Sequence, residues 1–243
     1  MPNPTAAMLV IGDEILSGRT KDTNTNYLAC ALTEAGVDLK EARVVSDEHD
    51  RIVAAVQELS KAYDHVFTSG GIGPTHDDIT ADAVGAAFDA HVDIREDARA
   101  LLAAHYERQG SEFNDARKRM ARIPDGATLI DNPVSVAPGF TIGNVHVMAG
   151  VPSVFKAMVA TVLPTITGGQ PLLSETLRVN IGEGDVAGAF GDLALAYPDL
   201  SFGSYPFQKD GVYGCNLVVR GTDGARLKMV VAELAKALGV EYV

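Results

Sequence analysis

Between Ala6 and Leu163, short apolar runs alternate with segments whose apolar residues recur at helical spacing. Ala6–Ile11 is too short for a helix and reads as a buried strand broken by Gly12-Asp13. Asp22-Thr23-Asn24 offers capping side chains, Leu28, Ala31, Leu32 and Ala35 form a stripe, and Gly36 ends the helix. Ala42–Val45 is a second strand. Ile52, Val53, Val56 and Leu59 mark the next helix, and His65–Thr68 a third strand. Further on, Ile79–Ala90 and the stretches around Leu101–Tyr106 and Phe113–Ile123 read as helices. Ala127–Ile130, Phe140–Ile142 and Val145–Met148 read as strands near the far edge of the sheet, and Val154–Leu163 as a closing amphipathic helix. This alternation calls for an α/β fold: three layers, with a mostly parallel sheet covered on both faces.

Thr167-Gly168-Gly169-Gln170-Pro171 has linker composition. The pattern then changes to a strand (Thr176–Ile181), a helix (Val186–Tyr197), two strands joined by Gln208-Lys209-Asp210-Gly211, and a helix carrying Leu227, Val230, Val231, Leu234 and Leu238. Asp-Gly between alternating runs is a hairpin signal. The chain is therefore read as an α/β domain over 1–167 and a small C-terminal α+β domain over 172–243.

With 47% apolar residues and no Trp among 243, the core is aliphatic and alanine-rich. The 20 Lys+Arg against 32 Asp+Glu leave a net charge of −12, which repels a phosphate backbone and argues against nucleic acid as a partner. Gly221-Thr222-Asp223-Gly224 fits the G-x-x-G of RNA-binding KH modules. It carries an acid, however, and joins a strand to a helix where a KH loop joins two helices. Cys30 and Cys215 form no C-x-x-C pair and read as small buried hydrophobes. The N-terminus has no basic stretch ahead of an apolar core, and no run reaches the roughly 20 apolar residues of a membrane helix. The expectation is a cytoplasmic protein with no membrane partner.

The strongest chemical signal is Gly70-Gly71-Ile72-Gly73-Pro74-Thr75-His76-Asp77-Asp78-Ile79-Thr80. It leaves the carboxyl end of a strand and opens a helix, where open α/β sheets bind ligands. Glycines let the backbone approach a ligand and aim N–H groups at an anion. Asp77 and Asp78 make sense beside such a loop if a divalent cation bridges them to phosphate; a tight turn with an Asp cap is the plainer alternative. Gly12-Asp13-Glu14-Ile15-Leu16-Ser17-Gly18 and Asp22-Thr23-Asn24 follow a strand too. Asp13, Glu14 and Asn24 read either as acceptors for hydroxyls or a metal, or as solvated and capping groups. Asp47, after the second strand, is a further carboxylate at this edge or a helix cap.

Taken in order, Gly12-Asp13-Glu14-Ile15-Leu16-x-Gly18, Asp22-Thr23-Asn24, Gly70-Gly71-x-Gly73-Pro74-Thr75-x-Asp77-Asp78-x-Thr80, Asn132-Pro133, Ala137-Pro138-Gly139-Phe140 and Gly150-Val151-Pro152 resemble the molybdopterin-binding domain family. Within it they are most similar to the amino-terminal domain of CinA, the competence/damage-inducible protein, and to the matching domain of FAD synthase. The resemblance covers residues 6 to 165, and Gly203-Ser204-Tyr205-Pro206 is similar to the small domain that follows in those relatives. Ala149 stands where relatives carry Pro, and Ser135-Val136 where they carry Gly-Thr. Both departures fall on the far wall of the pocket.

The resemblance implies a phosphate-holding loop at Gly70, Gly71 and Gly73, with Pro74, Thr75 and Thr80 completing it. In molybdenum-cofactor members, carboxylates matching Asp47 and Asp78 act in adenylyl transfer, so the resemblance implies these two as catalytic groups, and Arg119 as the cation where CinA-type members often carry Lys. Asp77 and Asp78 are the metal ligands that their place beside the loop suggests. In CinA-type members the implied reaction is hydrolysis of a nucleotide pyrophosphate such as ADP-ribose or FAD, with a divalent metal (Mg, Mn or Co) and K. The alternative is molybdopterin binding or transfer in cofactor biosynthesis, without hydrolysis. Either way the partner is a small nucleotide or pterin phosphate, and relatives imply a homo-oligomer. The amidase domain that CinA carries after this region is expected to be absent.

Overall fold

The computed structural model describes residues 2–209 and 211–242. Asp210 of the expected hairpin turn lies outside the described residues. The chain divides into two compact units, residues 1–169 and 170–243.

The first unit begins with β1 (Thr5–Ile11), the short α1 (Asp13–Leu16), α2 (Asn24–Glu34), β2 (Asp38–Val45), α3 (His49–Ala62) and β3 (His65–Ser69). There follow α4 (Thr80–Ala87), β4 (Val92–Ile94), α5 (Glu96–Arg108), α6 (Asp115–Lys118), β5 (Arg122–Pro124), β6 (Thr128–Ile130), β7 (Gly139–Ile142), β8 (Val145–Met148) and α7 (Pro152–Val162). The main sheet runs β2-β1-β3-β8-β7-β6. β2, β1, β3 and β8 are parallel; at one edge β7 runs antiparallel to β8, and β6 antiparallel to β7. The expected three-layer α/β fold with a mostly parallel sheet is thus borne out.

Alternation along β1 builds both cores. Ala7, Leu9 and Ile11 pack with Ile52, Val56 and Leu59 of α3, with Ala83 and Val84 of α4, and with Ala98 and Leu102 of α5. Ala6, Met8 and Val10 pack on the opposite face with Leu28 and Leu32 of α2 and Phe155, Met158 and Val159 of α7. Because β1 is apolar on both faces, it reads as a continuous run, the signature of a central parallel strand.

Three expectations are corrected. Cys215 is buried as expected, but Cys30 is exposed on α2. Phe113–Ile123 is not one helix: α6 and a 3-10 turn over Arg119–Ala121 lead into β5, which pairs antiparallel with β4. Val145–Met148 is not at the edge but lies beside β3, in register from Val66↔Val145 to Ser69↔Met148.

The second unit holds β9 (Leu173–Val179), α8 (Glu183–Ala196), β10 (Ser201–Lys209), β11 (Val212–Gly221) and α9 (Gly224–Leu238). Its antiparallel sheet runs β10-β11-β9, and its core joins Leu177, Val179, Cys215, Leu217 and Val219 to Val186, Leu227, Val230 and Leu234. The Gly221–Gly224 tetrapeptide starts α9, where Asp223 caps the helix by accepting from the amides of Ala225 and Arg226 at 3.0 and 3.2 Å. Among the described residues, no helix is long and apolar enough to cross a membrane.

Candidate functional site

The four parallel strands end together at Ile11, Val45, Ser69 and Met148. The chain reverses its winding between β1 and β3, and open sheets bind ligands at the carboxyl ends of such strands. A cleft of about 530 Å³ lies there, lined among others by Glu14, Asp47, Gly70, Gly71, Gly73, Asp77 and Asp78. The separate motifs therefore converge on one cleft.

Gly70 and Gly71 shape its floor. Gly70 has φ +114, and a Cβ there would stand 2.1 Å from the Ile11 carbonyl oxygen. Gly71, at φ +69, would place a Cβ 2.1 Å from Thr80 Oγ1. No larger residue fits either position. Among the described residues, the amides of Gly71, Ile72 and Gly73 donate to no protein acceptor. Three successive unengaged N–H groups in such a turn form an anion-binding concavity.

The acids gather around Asp47. Its Oδ2 accepts from the Asp13 amide at 2.9 Å. Burial raises its pKa above the usual carboxylate range; the Asp13 amide opposes that, and the negative charges of Asp13, Glu14 and Asp77 add to the rise. The Asp77 carboxyl is held low, first by the Thr75 hydroxyl beside it. Asp78 folds back on the loop, where its Oδ2 accepts from the Thr75 amide at 2.8 Å and from the Thr75 hydroxyl. Asp78 closes the tight turn that the plainer reading expected, and Asp47 accepts from the first amide of α1, but neither acid caps the helix that follows it. Glu48 precedes α3 and Ile79 precedes α4, each without a side-chain cap bond.

Several expected ligand contacts are placed elsewhere. Thr80 is fully buried behind the loop and donates to the Gly70 carbonyl at 3.0 Å, so it braces the turn. Pro74 and Thr75 are exposed outside the cleft wall, with Thr75 engaged by Asp78. Asp13 is exposed and reaches the site through its amide. Arg119 lines a crevice behind Gly71–Gly73, and its Nη2 donates to the Asp78 carbonyl at 3.3 Å. Asn24 lines a side pocket next to the cleft.

The far wall holds Ser135 and Ala149, the departures from the family pattern expected there, together with Asn132, Ala137 and Val151, which were not named as site residues. Asn132 is buried, accepts from the amides of Val134 and Ser135 at 3.1 Å each, and donates to the Ala137 carbonyl at 2.8 Å. It thereby fixes the turn that presents Ser135 and Ala137 to the cleft. Val136 in this turn has φ +66, a strained setting for a β-branched residue. Ala149 and Val151 complete the wall, so the cleft has an aliphatic side facing its acidic side. The Asn132-Pro133, Ala137–Phe140 and Gly150-Val151-Pro152 motifs, with the Ser135-Val136 and Ala149 departures, were the signal for this wall.

Fold and cleft together define a doubly wound α/β protein with its site at the switch point of the sheet. The chain belongs to the molybdopterin-binding domain family: residues 7–168 match the family described as "Probable molybdopterin binding domain". Residues 171–243 match the family described as "FAD synthase, middle domain". The chain is 32% identical over 259 residues to a "Probable FAD synthase" of Caenorhabditis elegans, covering 96% of this chain and 50% of that protein. It is 34% identical over 209 residues to a "CinA-like protein" of Desulfosudis oleivorans, covering 82% of this chain and 51% of that one. The chain thus spans about half the length of such relatives. The crystal structure of CinA from Thermoplasma acidophilum, described as of unknown function, superposes with TM-score 0.62 at 32% identity, covering 67% of this chain and 97% of that one. The resemblance carried by the motifs is borne out.

Proposed function

We propose that the cleft binds a nucleotide pyrophosphate of the ADP-ribose or FAD type and hydrolyses it with the help of a divalent cation. The observation that carries this reading is the set of unengaged Gly71, Ile72 and Gly73 amides lining the same cleft as the carboxylates of Glu14, Asp47, Asp77 and Asp78. Amides of this kind hold phosphate oxygens. The acids beside them would repel the same phosphates unless a cation offset their charge.

The donor set fits a cation shared with substrate. Among the described residues, no group of three His, Cys, Asp or Glu side chains is placed to hold a metal alone. Mg²⁺-type ions are commonly held by one or two carboxylates plus substrate phosphates. Asp77 and the remaining oxygen of Asp78 would hold Mg, Mn or Co here, and the bound ion would offset charge on the phosphates. Asp47 would orient the attacking water and accept its proton, a role helped by its raised pKa. Arg119 would keep the Asp78 backbone in place.

The second reading is molybdopterin binding or transfer without hydrolysis, favoured by the family match over 7–168 and by the aliphatic wall, which suits a planar ring. A hydrolysis screen of ADP-ribose, FAD and other nucleotide pyrophosphates with Mg²⁺, Mn²⁺ or Co²⁺, with and without K⁺, separates the two. Release of two phosphomonoesters supports the first. No hydrolysis together with tight molybdopterin binding replaces it with the second.

A further inference from the structure

Within the second unit, α8 and α9 cover one face of the three-stranded sheet through the core around Leu217, and the other face is open. Strand register sets Tyr205 beside Asn216 and Asn216 beside Arg178, so these three form one row across the open face. Alternation puts Phe207 and Lys209 on the same face along β10, and Arg220 along β11. Arg178, Tyr205 and Lys209 are exposed, and Phe207 and Arg220 are half-buried.

This face is cationic although the chain is acidic. Among the described residues of the three strands the one acid is Glu175, which shares the covered face with Leu177 and accepts from the Tyr242 hydroxyl at 2.7 Å. Among the described residues, neither Arg178 nor Arg220 meets a carboxylate. Each is held by a ring instead. Arg178 lies 3.8 Å from the Phe207 ring centre, and Arg220 lies 5.5 Å from that of Tyr205 and donates to its hydroxyl at 2.6 Å. The rings lean over glycines: a Cβ on Gly203 would stand 3.0 Å from the Tyr205 ring, and one on Gly214 2.7 Å from that of Phe207. A guanidinium on a ring keeps its charge and its edge donors, and its plane adds a stacking surface.

Charge and planes together narrow the partner. Tyr205 and Phe207, two residues apart on one strand, stand about 7 Å apart. An acidic peptide would satisfy the cations and leave the rings unused, and a duplex hides the faces of its bases. A single strand of nucleic acid brings phosphates for the cations and base faces for the rings and guanidinium planes. The net charge of −12 opposes such a partner at long range, but at physiological salt exposed charges are screened beyond about 8 Å. The strand then meets the local charge of this face. The surface is separate from the Gly221–Gly224 tetrapeptide, whose Asp223 serves as a helix cap.

We propose that the open face of the second unit binds single-stranded nucleic acid, with bases stacked on Tyr205, Phe207 and their arginines, and phosphates held by Arg178, Arg220 and Lys209. This goes beyond the pyrophosphatase reading and does not depend on it. The test is fluorescence anisotropy of the full chain with a labelled oligonucleotide of about ten nucleotides, as single strand and as duplex, at about 50 and 200 mM salt. The single strand is expected to bind, with Kd rising on the order of tenfold between the two salts, and the duplex to bind about tenfold more weakly. Tyr205→Ala is expected to weaken the single strand about tenfold, and Arg178→Glu at least as much. Lys228→Glu makes the same charge change at an exposed position of α9 and should leave binding unchanged. No binding of the single strand at the lower salt, equal binding of the duplex, or an equal loss in Lys228→Glu and Arg178→Glu would overturn the proposal. So would displacement of the strand by poly-glutamate as effectively as by unlabelled strand, which would make the face a dock for an acidic protein.

Discussion

The amide of Asp13 donates to Oδ2 of Asp47 at 2.9 Å, tying the turn after β1 to the end of β2. This bond sets one edge of the cleft and leaves the second carboxylate oxygen of Asp47 available, while burial, helped by the Asp13, Glu14 and Asp77 charges, keeps its proton affinity high. If Asp47 is the base, activity falls on the acid side as it protonates. The acid limb of kcat/KM is expected above the ordinary carboxylate value of about 4, and Asp47→Asn should abolish most activity together with that limb. A pH–rate profile that keeps its acid limb in Asp47→Asn removes Asp47 from this role.

The glycine turn offers a paired test. Gly70→Ala forces a Cβ to within 2.1 Å of a backbone carbonyl at φ +114, and a cost on the order of 3 kcal/mol is expected. Gly18→Ala meets nothing within 4 Å at φ +74 and should cost only about 1 kcal/mol. Urea unfolding of both variants checks the difference. Equal costs would mean that the turn is held less tightly than the contact with Ile11 implies.

At the opposite end of β3, His65 Nδ1 and His146 Nε2 lie 3.3 Å apart, and Thr141 Oγ1 is 3.0 Å from His146 Nδ1. Burial, aided by the neighbouring His65, lowers the His146 pKa from 6.5 to about 4. The unfolded chain therefore binds more protons than the folded one between these values, so stability rises with pH there. Relative to pH 7, on the order of 3 kcal/mol should be lost as pH falls from 6.5 to 4, the larger part of it above about pH 5, where few carboxylates have titrated. His65, also lowered by burial, acts in the same direction. His146→Leu should flatten this slope, whatever its effect on stability at pH 7. A slope unchanged in the variant would place the effect elsewhere.

The two units have separate cores: the clusters around β1 draw only on the first, and the cluster around β11 only on the second. Residues 1–169 alone are expected to unfold in one cooperative transition and to bind no hydrophobic dye in the native state. A soluble but dye-binding, non-cooperative product would make the second unit part of the first one's fold.

The sequence made the first half of the sheet legible because β1, β3 and the stripes of α2 and α3 carry long, unmixed periodic signals. β5 was hidden because it has three residues, ends in proline, and takes its partner β4 from thirty residues upstream. The apolar spacing of Phe113, Ala116, Met120 and Ile123 suits a helix equally well, and only the pairing of Ile123 with Asp93 decides against it. The central place of β8 was hidden because strand order in a sheet leaves no local trace. At the site, glycines and acids announced the cleft, but the roles within it depend on who meets whom. That Thr80 braces the loop from behind, or that both Asn24 amide hydrogens are taken, follows only from three-dimensional contacts.

The central claim concerns what the loop and its acids do to a pyrophosphate, and Asp78 tests it most directly. Asp78→Asn keeps the volume and an acceptor for the Thr75 amide while removing the charge. The measurement is ³¹P NMR of ADP-ribose incubated with Mg²⁺, which is diamagnetic and leaves the signals sharp, and either wild type or this variant. Wild type should convert the pyrophosphate signals into two phosphomonoester signals, and Asp78→Asn should do so on the order of 10²-fold more slowly with its fold intact. Pyrophosphate signals that persist with wild type, or a variant as fast as wild type, would contradict the account.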